Sequence, residues 1–368
     1  MTREFPQLEQ DLVFPPGETL LETIEHLGMT QKELAARTGV STKHINHLVK
    51  GKAPISPQMA ISLESATGVP AGLWMNLEKT YQEYRARAQE REALREQVPS
   101  LRLFNVKEMA QYGWIAGGDD KVSVVKQVLM FLGVSHLDYW ETVADTYATH
   151  YRKSEAFDCN KVSLTLWLRQ GERQTAAIEC KPYHADAFRN ALQAVRGMTA
   201  RLPDDFVHQI SHLCSLAGVA VAFVPELKGS RVSGATRWLN PTKASVLLSA
   251  RHRADDHLWF TFFHEAGHIL LHGNREAFLD LENGGDSPTE EEANAFAADF
   301  LIPHGEYARF VKDHTLHFST AAVQRFAKHL GIAPGIIVGR LQHDGCLPYT
   351  HLNVLKRRFR WGQHGTQK

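Results

Sequence analysis

Cysteine is scarce in this sequence. Four cysteines are present among 368 residues, and no two of them form a Cys-x-x-Cys pair. The sequence therefore predicts neither a disulfide framework nor a zinc site built from cysteines. We interpret all four as small buried apolar residues: Cys159, Cys180, Cys214 and Cys346.

Long apolar runs and an excess of charge are also missing. No run approaches the roughly 20 apolar residues needed to cross a bilayer, and the first residues lack the apolar segment of a secretory signal. We therefore expect a cytoplasmic protein without membrane contact. Lysine plus arginine and aspartate plus glutamate both total 41, so the formal net charge is zero at pH 7. Any binding to nucleic acid must come from a local patch of charge.

Length sets the number of domains. A chain of 368 residues with 43% hydrophobic and 22% charged residues is typical of a globular protein of two or three domains. We predict three of them, at residues 1–98, 99–215 and 216–368. The expected fold class is multidomain and mainly α, with an α+β region at the C-terminal end.

A local basic patch lies between Thr30 and Lys52. This stretch holds five lysine and arginine residues against the single acid Glu33, which gives a net charge of +4. Short amphipathic segments separated by glycines over residues 18–68 predict a compact bundle of five helices. Thr30 and Glu33 have the spacing of a capping box, and Ser41 follows a glycine turn as the next N-cap. The pattern predicts a helix-turn-helix.

We expect the second helix of this pair, Thr42–Val49, in the major groove of DNA. Ile45, Leu48 and Val49 would face the bundle, whereas the polar and basic side chains would face the nucleic acid. The predicted DNA contacts are Gln31, Ser41, Thr42, Lys43, His44, Asn46 and Lys50. The alternative left open is a protein-interaction module of the same shape that binds no DNA.

The N-terminal part, to about residue 85, resembles known DNA-binding proteins. The segments Pro15–Leu21, Met29–Ala35 and Gly72–Tyr81 are similar to the Cro/repressor type of helix-turn-helix, and more narrowly to the HigA-type antitoxins. That resemblance implies binding to double-stranded operator DNA. We expect the operator to lie in the protein's own promoter and the protein to be a homodimer.

Residues 99–215 contain no recognisable chemical motif. The charged segment Leu73–Val98 leads into them. It contains no glycine or proline, and Pro99 follows it directly. Its alternating glutamates and arginines indicate a solvated linker helix and not a coiled-coil seam. The segments that follow are amphipathic, so we predict a helical middle domain of unassigned role.

The segment His264-Glu265-Ala266-Gly267-His268 lies in an apolar helical run. Two histidines four residues apart share one helix face, and the glutamate lies beside them, which is the spacing of a zinc metallopeptidase. Neutral imidazoles suit Zn²⁺, and a third protein ligand with a water molecule would complete an open site. The alternative is a chance match on an ordinary core helix.

A second, acidic helix follows, with Pro288 near its start and Pro303 at its end. Glu290 and Asn294 are four residues apart and share a face. Such a pair can supply a carboxylate ligand and an amide that orients a ligating histidine. Glutamates would also stabilise the N-terminus of this helix without any metal.

Together the two helices resemble the ImmA/IrrE-type zinc metallopeptidases, over roughly the last 150 residues. That family is similar to the thermolysin-like enzymes, whose third zinc ligand is a glutamate on a separate helix. The resemblance implies that His264, His268 and Glu290, the first glutamate of Glu-x-x-x-Asn, hold Zn²⁺. It also implies that Asn294 orients a histidine and that Glu265 is catalytic.

The same resemblance implies a peptide-binding strand and an oxyanion stabiliser. Val246–Ser249 would be the edge strand along which an extended peptide aligns by strand addition. The oxyanion stabiliser is left open among His272, His304 and Tyr307.

These features predict a transcriptional regulator that is also a protease. Bound Zn²⁺ would lower the pKa of a water molecule, and Glu265 would accept its proton. The substrate would be a repressor or partner protein in stress or toxin-antitoxin control. The alternative is a non-enzymatic antitoxin and autorepressor that binds a cognate toxin, with a structural or inactive zinc site.

Overall fold

The computed structural model of the chain describes residues 13–151, 160–249, 251, 253–273, 277–281, 287–314 and 317–359. The chain divides into two compact units, Met1–Val98 and Pro99–Lys368. Helices dominate both units, and a four-stranded sheet lies in the second. This architecture confirms the predicted fold class, mainly α with an α+β C-terminal region.

The described part of the N-terminal unit contains five helices, the predicted number, but four of them span residues 16–67 and the fifth is the helix predicted as a linker. They are α1 (Pro16–His26), α2 (Gln31–Thr38), α3 (Thr42–Val49), α4 (Pro57–Thr67) and α5 (Ala71–Glu96). Their apolar faces meet in one core, in which Leu20, Ile45 and Trp74 are fully buried. Helices this short are marginal alone, so most of their stability comes from this packing.

Local capping fixes the ends of α2 and α3. Thr30 Oγ1 accepts a hydrogen bond from the Glu33 N–H at 3.2 Å, and Ser41 Oγ accepts one from the His44 N–H at 3.1 Å. Gly39, with a φ of 71°, ends α2 in the left-handed conformation that glycine adopts without strain. The turn between the two helices therefore lies where the sequence pattern places it.

The C-terminal unit begins with helices that the amphipathic segments of residues 99–215 predict. They are α6 (Val106–Gln111), α7 (Lys121–Leu132), α8 (Trp140–Tyr151), α9 (Lys161–Ala177), α10 (Ala185–Met198) and α11 (Phe206–Ser215). Later helices are α12 (Asp255–Leu271), α13 (Pro288–Leu301), α14 (His304–His314), α15 (Thr320–Leu330) and α16 (Pro334–His343). Short 3-10 helices occupy Val98–Leu103, Leu137–Tyr139 and Asn353–Leu355. None of the described helices combines the length and the apolar character of a membrane-spanning segment.

The sheet consists of β1 (Val219–Phe223), β2 (Val232–Asn240), β3 (Lys243–Leu248) and β4 (Phe278–Leu281), in the order β1-β3-β2-β4. β3 runs parallel to β1 and antiparallel to β2, and β2 is antiparallel to β4.

The prediction that Val246–Ser249 forms an edge strand was wrong. Val246 of β3 lies opposite Val221 of β1 on one side and Thr236 of β2 on the other, so β3 is paired along both edges. Its continuous buried run from Ala244 to Leu248 is typical of an interior strand. Among the described strands, the outer strand beside β2 is β4.

One core extends through the C-terminal unit. Phe188 of α10 and Ile210 of α11 are buried in the same cluster as Val246 of β3 and Trp259 of α12. Residues 99–368, which the sequence pattern divides at residue 215, therefore form one compact unit. Within it α12 contacts the sheet, α13 and α16, so it lies at the centre of this unit.

The cysteines of the described residues are free, as expected. Cys214 is buried, Cys180 is half-buried and Cys346 is exposed. The prediction of burial was therefore wrong for Cys346, which follows the C-terminal end of α16 and lies outside the core. Cys159 lies outside the described residues.

Candidate metal centre and nucleic-acid interface

Helix α12 carries the His-Glu-Ala-Gly-His segment through the middle of the C-terminal unit. Asp255 and Asp256 lie in its first turn, where negative charge stabilises a helix N-terminus. Phe262 and Phe263 are buried just before the segment, and Ile269 is buried after it. The segment is therefore held in a buried helix, as its apolar flanks predict.

Three ligand atoms from two helices meet beside α12. The Nε2 atoms of His264 and His268 lie 3.0 Å apart, and Glu290 Oε2 of α13 lies 3.1 Å from the first and 3.5 Å from the second. All three residues are buried. Zinc bonds of about 2.0–2.1 Å in a tetrahedral site separate neighbouring ligand atoms by roughly 3.3 Å. Two imidazoles and one carboxylate at this spacing fit a zinc ion.

A glycine in the middle of the segment allows α13 to come close. A Cβ on Gly267 would lie 3.0 Å from Cδ1 of Phe296 and 3.4 Å from Cα of Ala293. Such contacts are tighter than a well-packed core tolerates without movement. Gly267 thus brings α13 near enough for Glu290 to reach the two histidines.

The Nδ1 atom of each histidine contacts a second residue. His264 Nδ1 lies 2.9 Å from Asn294 Oδ1, a contact through which an amide can orient an imidazole ring. His268 Nδ1 lies 3.0 Å from His272 Nδ1, and His272 Nε2 lies 3.0 Å from Glu292 Oε2. Sequence reasoning missed this series of contacts from His268 through His272 to Glu292. His272 stands four residues after His268 and so shares its helix face.

Glu265 is fully buried beside the three ligand atoms. Burial raises the pKa of its carboxyl group to about 8. Within the described residues neither carboxylate oxygen has a hydrogen-bond partner. Gly234 of β2 lies directly against this carboxylate, and a Cβ there would clash with its Oε1 and Cγ atoms. An unpartnered buried carboxylate is costly, so its position fits a site that binds a metal ion and a water molecule.

The two histidines have opposite pKa shifts. Burial lowers the pKa of His268 to about 4. Burial also disfavours the charged form of His264, but its hydrogen bond to Glu290 and the charge of Glu265 outweigh that effect and raise its pKa to about 9. The carboxylate of Glu290 thus favours positive charge at the point where the ligand atoms meet.

The oxyanion stabiliser stays unassigned. Both ring nitrogens of His272 face other side chains, which is the arrangement of an orienting residue. His304 is exposed at the start of α14, where its backbone N–H donates to Asp299 Oδ1 at 2.8 Å. Tyr307 is buried, with the Arg340 guanidinium 5.2 Å from the centre of its ring.

Helix α3 presents a polar face in the N-terminal unit. Ile45 and Leu48 are buried, as predicted, whereas Val49 is only half-buried. Of the predicted DNA contacts, the exposed ones are Ser41, Thr42, Lys43 and Lys50, and the half-buried ones are Gln31, His44 and Asn46. Asn46 Nδ2 donates to Gln31 Oε1 at 3.4 Å, which ties the outer face of α3 to the start of α2.

This combination of a helix-turn-helix and a metallopeptidase-like helix pair agrees with comparisons to known families. A family model described as helix-turn-helix matches residues 20–74, and the model of the M78 peptidases described as IrrE N-terminal-like domain matches residues 224–342. The chain therefore combines a helix-turn-helix domain with an IrrE-like peptidase domain, as the sequence predicts.

Three individual relatives are each similar to about a fifth of this chain. The uncharacterized HTH-type transcriptional regulator YddM of Escherichia coli (strain K12) is 29% identical over 66 residues, which are 18% of this chain and 70% of the relative. A candidate antidote protein of a plasmid maintenance system from Nostoc punctiforme is 26% identical over 23% of this chain and 91% of its own, with a TM-score of 0.22. A Pseudomonas aeruginosa protein solved in complex with its operator DNA is 32% identical over 21% of this chain and 83% of its own, with a TM-score of 0.20.

Proposed function

We propose that this protein is a DNA-binding transcriptional regulator whose C-terminal unit is a zinc-dependent endopeptidase acting on a repressor or another partner protein. The observation that carries the proposal is the meeting of His264, His268 and Glu290 beside the buried, unpartnered carboxylate of Glu265. A site that only stabilised the fold would need no free carboxylate there.

In the proposed centre, His264 Nε2, His268 Nε2 and Glu290 Oε2 hold the metal ion. When bound, Zn²⁺ lowers the pKa of a water molecule and polarises a carbonyl group. Asn294 and His272 hold the rings of His264 and His268 from behind and fix their orientation. These contacts leave the Nε2 atoms free to face Glu290.

Glu265 is the proposed general base. Its carboxylate accepts a proton from the attacking water and later passes that proton to the leaving nitrogen of the cleaved peptide bond. Burial, which raises the pKa of Glu265, makes its carboxylate a stronger base than an exposed glutamate. The Thr236 hydroxyl donates to the backbone oxygen of Glu265 at 3.3 Å, and Gly234 leaves room for the side chain.

The substrate strand is proposed to pair with β4 and not with β3. β4 is the outer strand beside β2, and its Phe278 ring stacks on the His268 imidazole with the ring centres 3.8 Å apart. An extended peptide that added beside β4, the outer strand of the described sheet on this side, would therefore run past the metal centre.

The N-terminal unit is proposed to bind operator DNA in the protein's own promoter, as a homodimer. Lys43, Lys50 and Thr42 are exposed on or next to α3, where they can reach phosphates and base edges. Two copies would place two such helices on paired half-sites.

The test compares cells that contain the full-length wild-type protein, the Glu265→Gln variant or the Glu291→Gln variant. Glu291 is an exposed glutamate of α13, so its variant is a matched control. Loss of a general base typically lowers the rate by about 10² to 10⁴. Intact-mass analysis of cellular proteins should show at least one fragment that is present with wild type and Glu291→Gln and absent with Glu265→Gln.

Identical fragment patterns in all three strains would reject the endopeptidase and leave the regulator. In that case the antitoxin alternative, in which the metal site is structural or inactive, would be the better interpretation. Zinc content and DNA binding of Glu265→Gln should match those of the wild type, because this glutamate is neither a ligand nor part of the N-terminal unit.

A further inference from the structure

A cleft of about 360 Å³ lies between α12, α13 and α16, next to the metal centre. That volume lies within the usual range of small-molecule sites, which begins at about 300 Å³. Its walls are mainly apolar and include Phe260 of α12, Ala298 of α13, Ile302 just after α13, and Ile336 of α16. No role in the proposed peptidase reaction uses these side chains.

The polar side chains of the cleft include two hydrogen-bond donors, Arg340 and Asn294, beside the exposed histidines His257 and His343. Arg340 gives its Nε–H to Asp344 Oδ2 at 2.7 Å, and its terminal nitrogens make no hydrogen bond to a described residue. Asn294 turns its Oδ1 toward His264, so its Nδ2 amino group is left available to a ligand. The guanidinium of Arg340 is held in place over the Tyr307 ring.

The acidic groups near the cleft are already engaged or inaccessible. Asp256 lines the cleft, but its Oδ2 is paired with Lys356 Nζ at 2.5 Å, and its Oδ1 is sealed from solvent. Asp344 accepts from Arg340 and also lies 3.0 Å from His343 Nδ1. An incoming anion would therefore meet the donors of Arg340 and Asn294, whereas the carboxylate of Asp256 in the described lining is already paired with Lys356.

We propose that this cleft binds a small carboxylic acid with an apolar body. The carboxylate accepts hydrogen bonds from the terminal nitrogens of Arg340, the planar donor that suits a carboxylate best. A guanidinium has five donors, so its Nε–H edge can keep Asp344 while its outer edge binds the ligand. The apolar body packs against Phe260, Ala298 and Ile336.

The cleft also reaches the metal centre through shared residues. Asn294 lines the cleft and lies 2.9 Å from His264 Nδ1, and the Phe260 ring lies 6.3 Å from the His264 ring, measured between their centres. A ligand that holds these two side chains would fix the imidazole in the orientation that binds metal. This coupling, which rests on the proposed metal centre, must be reciprocal: zinc would tighten ligand binding by the same factor as the ligand tightens zinc binding.

The test uses calorimetric titration of the full-length protein with three compounds that share one body. These are 4-phenylbutyrate, 4-phenylbutanol and 4-phenylbutylamine, which differ only in their head groups. Saturable binding of one phenylbutyrate per chain is expected, with the alcohol and the amine weaker by at least about tenfold, because charge-assisted hydrogen bonds are the stronger class. Absence of saturable phenylbutyrate binding, or equal affinities for the three compounds, would overturn the proposal.

Two variants locate the site. Arg340→Gln should weaken phenylbutyrate by at least about tenfold, whereas Arg325→Gln, at an exposed arginine of α15 outside the cleft, should leave its affinity unchanged. Ala298→Phe should block the cleft, and circular dichroism checks that each variant is folded. An unchanged affinity in Arg340→Gln would overturn the site.

Repeating the titration on zinc-loaded and chelator-treated protein separates this proposal from the proposed function. A tighter phenylbutyrate affinity with zinc is expected. Equal affinities would reject the coupling, and failure of the protein to bind zinc would reject the metal centre. Binding of phenylbutyrate that depends on Arg340 would support the cleft in both cases.

Discussion

His264 Nε2 and Glu290 Oε2 lie 3.1 Å apart, although the two residues belong to different helices. The glutamate is placed by the start of α13, where Ser287 Oγ accepts the Glu290 N–H at 3.3 Å. The histidine is placed by Asn294, one turn further along α13. The same helix therefore supplies one ligand and orients another, so the docking of α13 on α12 and the binding of metal are coupled.

Purified protein should contain about one zinc ion per chain, because three ligand atoms meet at one point. His264→Ala and Glu290→Ala should lose the metal, since two remaining ligands hold zinc poorly. Glu291→Ala, at the neighbouring exposed glutamate, should retain it. Elemental analysis after dialysis measures the content. Full metal content in Glu290→Ala, or metal loss in Glu291→Ala, would show that the third ligand is assigned wrongly.

Gly267→Ala should separate the ligands without removing any of them. The added methyl group would lie 3.0 Å from the Phe296 ring, and such overpacking typically costs about 1–3 kcal/mol of the free energy of unfolding. Zinc affinity should fall as α13 moves away. Thermal unfolding and competitive zinc titration measure the two effects.

The control for that variant is Gly305→Ala. Gly305 lies in α14, and a Cβ there would have no atom within 4 Å. Alanine favours a helix over glycine by up to about 1 kcal/mol, so this variant should be as stable as the wild type or slightly more stable. If both alanine variants behave alike, close approach at Gly267 does not set the metal site.

The contacts of His272 with His268 and with Glu292 predict that a substitution further from the metal ligand lowers zinc affinity less. His272→Phe keeps an aromatic ring but removes the contact to His268 Nδ1, and the loss of such an orienting partner typically lowers metal affinity by about 10- to 100-fold. Glu292→Gln should have a smaller effect, because Glu292 is largely exposed. Glu291→Gln is the control. Unchanged zinc affinity in His272→Phe would reduce its role to packing.

The sequence could predict the parts of the site that depend on local spacing. His264 and His268 share a helix face, Glu290 and Asn294 share another, and helix periodicity dictates both facts. Ser41 and Thr30 signal their helix starts because N-capping is a local interaction. For the same reason the first four helices of the N-terminal unit could be placed from glycine positions.

Contacts between distant segments could not be predicted in this way. β3 is interior because β1 and β2 pair with its two sides, and β4 is only four residues long and follows α12, so nothing local indicates that it is the outer strand beside β2. The contact of His272 with Glu292 exists only once α13 docks on α12. Likewise, only the folded structure shows that Phe188 and Trp259 share one core across residue 215.

Asp255 should make stability depend on pH. This carboxyl group is fully buried, and burial raises its pKa from 3.8 to about 6, with the charge of Asp256 adding to the shift. Between these values the folded state binds more protons than the unfolded state, so the free energy of unfolding falls as pH rises. The loss is absent below the unfolded pKa and complete above the folded one, at about 3 kcal/mol.

The variant that checks this is Asp255→Asn, which keeps an oxygen for the Arg357 N–H at 3.1 Å. Urea unfolding at pH 4, 5, 6 and 7 should show that the variant lacks the decline of the wild type over this interval. Asp204→Asn, at an exposed aspartate, should retain the wild-type decline. If Asp255→Asn and wild type have parallel pH curves, Asp255 does not titrate as proposed.

The last prediction concerns the polar face of α3. Full-length protein should bind its own promoter with an affinity that falls steeply as salt rises, because phosphate contacts release counterions. Lys43→Ala should weaken binding to all duplexes and reduce the slope of log affinity against log salt by about one, the signature of one lost phosphate contact. Asn46→Ala should instead reduce discrimination between promoter and random duplex, because Asn46 is a half-buried residue of the polar face of α3 and carries an amide that can read a base. Lys79→Ala, at an exposed lysine of α5, is the control and should change neither quantity.

Titration of labelled duplexes at several salt concentrations measures both effects. Equal affinity of the wild-type protein for promoter and random duplex would favour the alternative in which the N-terminal unit is a protein-interaction module, since nonspecific charge alone gives affinity without sequence preference.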